Sequence, residues 1–286
     1  MAMMQKALRQ RPGRLAAKYA AYAFYLVGAV VMLLPFFWMI STALKPEPEI
    51  FTVPIRWMPS VFDTSSFERA FEVVPLASYM FNTFWLAFLK IVGEVFVSAL
   101  VAYGFARFTF KGKNVLFMIL LATMMMPYEV TMISTFIMWS AVGLADGYAP
   151  LVVPAYFGSA AFIFFLRMYF STYPKGLEEA MFIDGASYLK IFYKLFLPLG
   201  KPALITIGLW SFVGTWNDLL GQLIYISNPK QYTVQLGLAS FRSMTGETLW
   251  GPLMAASFIA LIPVILILLF AQRFFVEGIK MAGIKG

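Results

Sequence analysis

The chain has neither cysteine nor histidine among its 286 residues, and only 13% of them are charged. Without cysteine there is no disulfide and no thiolate, and without histidine there is no imidazole base. Ser-His and Cys-His nucleophiles and Cys/His zinc centres are excluded together. Acid–base work by Asp, Glu, Lys or Tyr stays open. The shortage of charge is as telling, because soluble domains carry about 25% charged residues. What fills the space is apolar: 61% of residues are hydrophobic, 30 are Phe, and the mean hydropathy is +0.77. Even a fold of about 300 residues leaves about a quarter of its unfolded-chain surface exposed. A chain this apolar cannot keep that surface from water, so its solvent is lipid. An aromatic share of 18% excludes disorder.

A helix needs about 20 mostly apolar residues to cross a bilayer. Runs 19–44, 147–166 and 248–272 carry no charge at all. Runs 73–106, 115–145 and 202–229 are interrupted only by Lys90 and Glu94, by Glu129 and by Asp218, respectively. The fold class expected is therefore all-α and membrane-embedded. A cytoplasmic tail over 1–18 precedes a transmembrane domain over 19–286, with six spans near 19–44, 78–106, 115–140, 147–170, 202–226 and 248–272. The first run is too long for a signal-peptide core and has no small-residue cleavage site, so it reads as a retained helix. Basic residues set orientation. Alternate segments hold 16 of the 22 Lys and Arg, against 5 on the other side, which predicts both termini in the cytoplasm. The net charge of +8 is then a property of the cytoplasmic face and calls for no nucleic-acid partner.

Two outer loops stand out. The first is rich in Pro, Glu and aromatics, and its Phe51, Trp57 and Phe62 suggest a segment on the membrane interface. The second, 227–249, reads as irregular or short β around Tyr232-Thr233-Val234-Gln235-Leu236. The inner segment 174–198 is different. Pro174 suits a helix start, Glu178 and Glu179 its first turn, and Gly185 a stop, while Ser187 suits the cap of a second helix. Its apolar residues exceed what a solvated loop should expose. An elbow with Met181, Phe182, Ile183 and Tyr188 near its turn would suit a socket on another protein, or would lie on lipid as an amphipathic surface helix.

Within that segment, Glu179-Ala180-Met181, three residues, Gly185, nine residues, and Leu195-Phe196-Leu197-Pro198 resemble the EAA motif of bacterial importer permeases. Met181 stands where the motif has its second Ala, and Leu195 where it has Ile. Asp184-Gly185-Ala186-Ser187, Trp216-Asn217-Asp218, the region of Pro127 and the carboxyl end extend the likeness to MalG-type permeases of carbohydrate ABC importers. The resemblance implies a bacterial or archaeal cytoplasmic-membrane subunit, in the inner membrane of a Gram-negative host. It would pair with a second, MalF-type permease and two copies of a cytoplasmic ABC ATPase. A periplasmic or lipid-anchored solute-binding protein would deliver a sugar. It implies that Glu178, Glu179, Ala180, Met181, Asp184, Gly185, Leu195 and Pro198 form the ATPase-coupling elbow. It also implies that the loop with Gln235, Gly237, Ser243 and Gly246 reaches the binding protein, its glycines supplying flexibility. No cofactor is expected in this chain, since ATP and Mg belong to the partner ATPase. The residues agree: the two Gly-Lys pairs, Gly112-Lys113 and Gly200-Lys201, have Arg107 and Leu195 where a phosphate loop needs its first Gly.

Charged residues inside spans cost about 2.5–3.5 kcal/mol each on insertion scales and each needs a reason. Lys90 and Glu94 share a helix face, as a pathway site or as a neutralising pair against the partner subunit. Glu129 follows a proline that kinks its span, so it lines a polar cavity or bonds a neighbouring helix. Asn217 and Asp218 border the substrate path or cap the outer end of the fifth helix. A rival reading makes Glu94, Glu129 or Asp218 the proton carrier of a secondary transporter working without an ATPase. An intramembrane enzyme is a distant third, with no paired-carboxylate motif on one helix.

Overall fold

The computed structural model describes residues 12–241 and 248–283, and Ser243 and Gly246 lie outside them. The described residues are helical throughout, with no β-strand. In chain order they form α1 (Pro12–Ala43), α2 (Ser65–Val73), α3 (Leu76–Arg107), α4 (Lys113–Met124), α5 (Tyr128–Ala141), α6 (Ala149–Val152), α7 (Ala160–Ser171), α8 (Lys175–Ile183), α9 (Tyr188–Leu199), α10 (Lys201–Asn217), α11 (Leu220–Tyr225), α12 (Val234–Ala239) and α13 (Trp250–Gly283). Four stretches are long and apolar enough to span a membrane unbroken: Lys18–Ala43, Leu76–Arg107, Ala149–Ser171 and Trp250–Gln272. The expected third span is bent, α4 and α5 meeting at 97°, and α9 meets α10 at 77° just before the start of the expected fifth span. The first of these bends is far sharper than a kink, for a local reason. Pro127 offers no N–H and disfavours helical backbone at Met126, so the chain turns there, and the Met125 and Met126 amides bond back to Ala122 and Thr123.

α3 is the column of the fold. At 32 residues it is about 48 Å long, well beyond a hydrocarbon core of about 30 Å. Its two ends enter two separate cores. Leu76, Tyr79 and Ala87 join Phe212, Trp216, Val234, Phe241 and Ala256 in the first. Ala99, Ala102 and Tyr103 join Leu166, Phe170, Ile191, Phe192 and Phe196 in the second. α10 links them from the other side, with Ile207 in the second core and Phe212 in the first. α1 is different: nothing in its spanning window is buried, and it lies against α13.

The first loop is a closed staple. Lys45 Nζ donates to the Arg56 carbonyl at 2.5 Å and sits 4.3 Å from the centre of the Trp38 ring. The buried Glu49 carboxylate accepts from the Ser60 N–H at 3.1 Å and the Ser60 hydroxyl at 2.8 Å, and pairs with Arg56 at 3.5 Å. Glu47 Oε1 accepts the Gly251 N–H at the start of α13, 204 residues later. Phe51, Trp57 and Phe62 keep their side chains largely exposed.

The second loop corrects the sequence reading. Its Val-Gln-Leu alternation looked like a strand, but 234–239 is the helix α12. The Val234 N–H donates to Thr83 Oγ1 at 2.8 Å, and Asn82 donates to the Lys230 and Tyr232 carbonyls at 2.9 Å each. Tertiary partners on α3 thus supply what a sheet ladder would have. Gly237 is not a flexible tip either: it is buried, and a Cβ there would collide with the Tyr79 ring.

Candidate functional site

The elbow is built from α8, the turn after it and α9. α8 starts on Pro174, whose extended ψ leads into the first turn. Its end is a Schellman closure: the Gly185 N–H bonds the Phe182 carbonyl at 3.0 Å and the Ala186 N–H the Met181 carbonyl at 2.9 Å. That closure needs a left-handed residue, and Gly185 supplies it at φ +74°. Ser187 then caps α9 through the Lys190 N–H at 3.3 Å. The helix start, stop and second cap stand where the sequence placed them.

Helical spacing sorts the side chains. Glu178 and Met181 share the face turned to the bundle. Glu178 is buried, and Met181 lies half-buried against the second core. Glu179 and Ile183 share the outward face, with Ile183 86% exposed, while Phe182, one turn on from Glu178, is exposed beside it and packs edge-on against Tyr188 at 5.0 Å. Ala180, Asp184 and Gly185 are also exposed, as is Pro198, while Leu195 is half-buried against the second core. The expected coupling set therefore divides into a surface that points away from the fold and an anchor that points into it. Glu178 belongs to the anchor.

The anchor's partner is Arg107, in the last turn of α3. Its Nε lies 2.8 Å from Glu178 Oε1, with both side chains almost wholly buried. Its Nη2 donates to the Phe170 carbonyl at 2.9 Å and the Tyr173 carbonyl at 2.7 Å, at the end of α7. The guanidinium also sits 5.2 Å from the centre of the Phe196 ring on α9. A planar fork of five donors is suited to such multiple engagement. Burial pushes the Glu178 carboxyl above its ordinary value, against the opposing pull of Arg107 and Lys175. An open groove of about 470 Å³ runs beside the pair, lined by Phe108, Phe110, Phe182 and Tyr188 among others. Sequence reasoning counted Arg107 only as one of the basic residues of its face. Its position at the end of an otherwise apolar run was the available signal, but its partner lies 71 positions on, beyond any local pattern.

The other polar residues are dispersed. Lys90 and Glu94 are half-buried on α3 but form no ion pair with each other, so the expected neutralising pair is not closed within this chain. Glu129 is exposed in the first turn of α5. Asn217 donates to the Val213 carbonyl at 3.0 Å within its own helix. Asp218 stands where the expected fifth span divides: α10 ends at Asn217 with Asp218 next to it, and Asp218 Oδ1 accepts the Gly221 N–H of α11 at 2.9 Å. Gln235 is half-buried on α12. Among the described residues no cluster of three or more carboxylates could hold a metal.

Comparison with known proteins agrees with this geometry. The family described as binding-protein-dependent transport system inner membrane component matches residues 94–281, which include the whole elbow. A probable ABC transporter permease protein YurM of Bacillus subtilis (strain 168) is 31% identical over 272 residues, covering 93% of this chain and 88% of that protein. The arabinooligosaccharides transport system permease protein AraQ of the same organism is 30% identical, covering 98% and 100%. Among solved structures, a chain of a bacterial ABC transporter involved in the import of the acidic polysaccharide alginate superposes with a TM-score of 0.82. It is 22% identical and covers 94% of this chain and 99% of its own, a likeness of fold. These relatives are ABC permease components, which sides against the proton-coupled secondary transporter. The chain belongs to the family of inner-membrane components of binding-protein-dependent transport systems.

Proposed function

We propose that this chain is one of two permease subunits of an ATP-driven importer for a sugar or oligosaccharide, and that α8 with its turn is where the ATPase grips it. The observation that carries the reading is the exposed face of α8: Glu179 and Ile183 stand out from a helix whose opposite side is clamped to the bundle. An apolar residue as bare as Ile183 beside a fixed turn suits a socket. ATP and Mg would bind the partner ATPase, present in two copies, and a MalF-type permease would complete the pathway. A solute-binding protein outside the membrane would deliver the cargo. The carbohydrate class is inferred from AraQ, whose name specifies arabinooligosaccharides. Glu129 and Asp218 are the polar groups proposed to border the cargo path, and Gln235 and its loop to face the binding protein.

Six spans with both termini in the cytoplasm fit this role, each bent pair counting as one span. Side-specific contacts support the arrangement. Arg107 meets Glu178, joining two segments assigned inside. Glu47 meets Gly251 and Asn82 meets Lys230, joining segments assigned outside. Nucleotide binding on the ATPase would move the elbow as a lever and shift the permease between inward- and outward-open populations. The test is Glu179→Lys combined with Gly185→Val in the assembled complex. Binding-protein-stimulated ATP hydrolysis should be lost while membrane insertion persists; normal stimulated turnover would refute the docking role.

A further inference from the structure

α9 is packed into the second core through Ile191, Phe192 and Phe196, whereas α8 meets the bundle through few side chains, which raises the question of what the buried one transmits. α8 is only nine residues long, and its inward face offers the bundle Glu178 and the half-buried Met181. Arg107 reaches all three elements that meet there. It pairs with α8 through Glu178 at 2.8 Å, holds the Phe170 carbonyl of α7 at 2.9 Å and the Tyr173 carbonyl of the linker after it at 2.7 Å, and lies over Phe196 of α9. It does so from the last turn of α3, the helix that runs through both cores.

We infer that Arg107, paired with Glu178, is a positioning residue that makes α3 and α7 follow the movement of α8 when the elbow is displaced. The inference rests on the ATPase-docking reading above and adds the route by which motion leaves the elbow. The backbone joins α8 to α9 through the closed turn at Gly185, but to α7 only through residues 172–174, whose torsions alone would leave the angle between the two helices free. A side chain that bonds α8 and α7 at once removes that freedom, and its anchorage on α3 carries the displacement into the column. A lysine at 107 would keep the charge but, as a single point donor, could not hold Glu178 and two carbonyls together.

The experiment uses the complete complex, purified through a tag on this chain, in the wild type and with Arg107→Lys. Hydrogen exchange is followed by mass spectrometry before and after trapping with Mg-ATP and vanadate. In the wild type, trapping should change the exchange of both 175–183 and 103–110. With Arg107→Lys, the change at 175–183 should remain while that at 103–110 is lost, and stimulated ATP hydrolysis should fall by about fivefold or more, the lower range of measured coupling between sites. Glu178→Gln should reproduce the same split. If trapping still alters 103–110 in both variants and only their thermal stability drops, the pair is structural and the inference is overturned. If trapping leaves 175–183 unchanged in the wild type, the docking reading itself fails, a separate outcome.

Discussion

Two buried carboxylates, each facing an arginine, tie two loops of this chain, and their chemistry is opposite. Glu49 closes the first loop with two hydrogen bonds from Ser60, and these hold its carboxyl below the ordinary value of 4.5, with Arg56 a lesser contributor. Glu178 closes the elbow with Arg107 in an apolar pocket, and burial drives its carboxyl above that value. Hydrogen bonds to the ionised form stabilise Glu49, whereas desolvation works against Glu178 and its partner only partly offsets it. The first loop is thus bolted in its charged state. The elbow is held by a pair whose two members depend on each other, a joint and not a bolt.

The comparison breaks most visibly at Arg107. Arg107→Ala strands the Glu178 charge and should destabilise the purified protein by about 3–5 kcal/mol in detergent unfolding followed by circular dichroism. Replacing both, as Arg107→Met with Glu178→Leu, should recover most of that loss; no recovery would mean that the pair is not the source. Next in size, Gly185→Ala puts a Cβ at φ +74° and should cost about 1 kcal/mol in the same assay, with faster amide exchange at 185 and 186.

Acid titration sharpens the contrast. The folded chain holds the Glu178 proton more tightly than the unfolded one does, so this group's contribution rises as pH falls through its raised value and is lost as pH climbs past it. Glu49 does the reverse: its contribution is present above 4.5 and disappears as pH falls through its lowered value. Melting temperatures compared with Glu178→Gln and with Glu49→Gln should therefore slope in opposite directions on acidification, and parallel slopes would undo the distinction. Least of all, Ser60→Ala removes one of two donors to Glu49 and should leave the melting temperature nearly unchanged. Limited proteolysis between 49 and 60 should quicken, and equal cleavage rates would show that the hydroxyl is idle.

Much of this was readable in the residues, where the causes are local. Pro127 marked a break, Gly185 a left-handed stop and Ser187 a cap, and each is set by its own backbone chemistry. What could not be read arises from distant partners. The 234–239 segment alternates like a strand yet winds into a helix because Thr83 and Asn82, on α3, satisfy the backbone around it. Glu178 and Glu179 are alike in type and adjacent, and only a residue 71 positions earlier decides which one turns inward.

The contact between α1 and α13 carries a consequence for biogenesis. α1 settles against a helix made long after it. Roughly 200 residues separate them, about 10–40 s of synthesis at about 5–20 residues per second. Throughout that interval the leading segment sits in the membrane without its eventual neighbour, held only by lipid or by the insertion machinery.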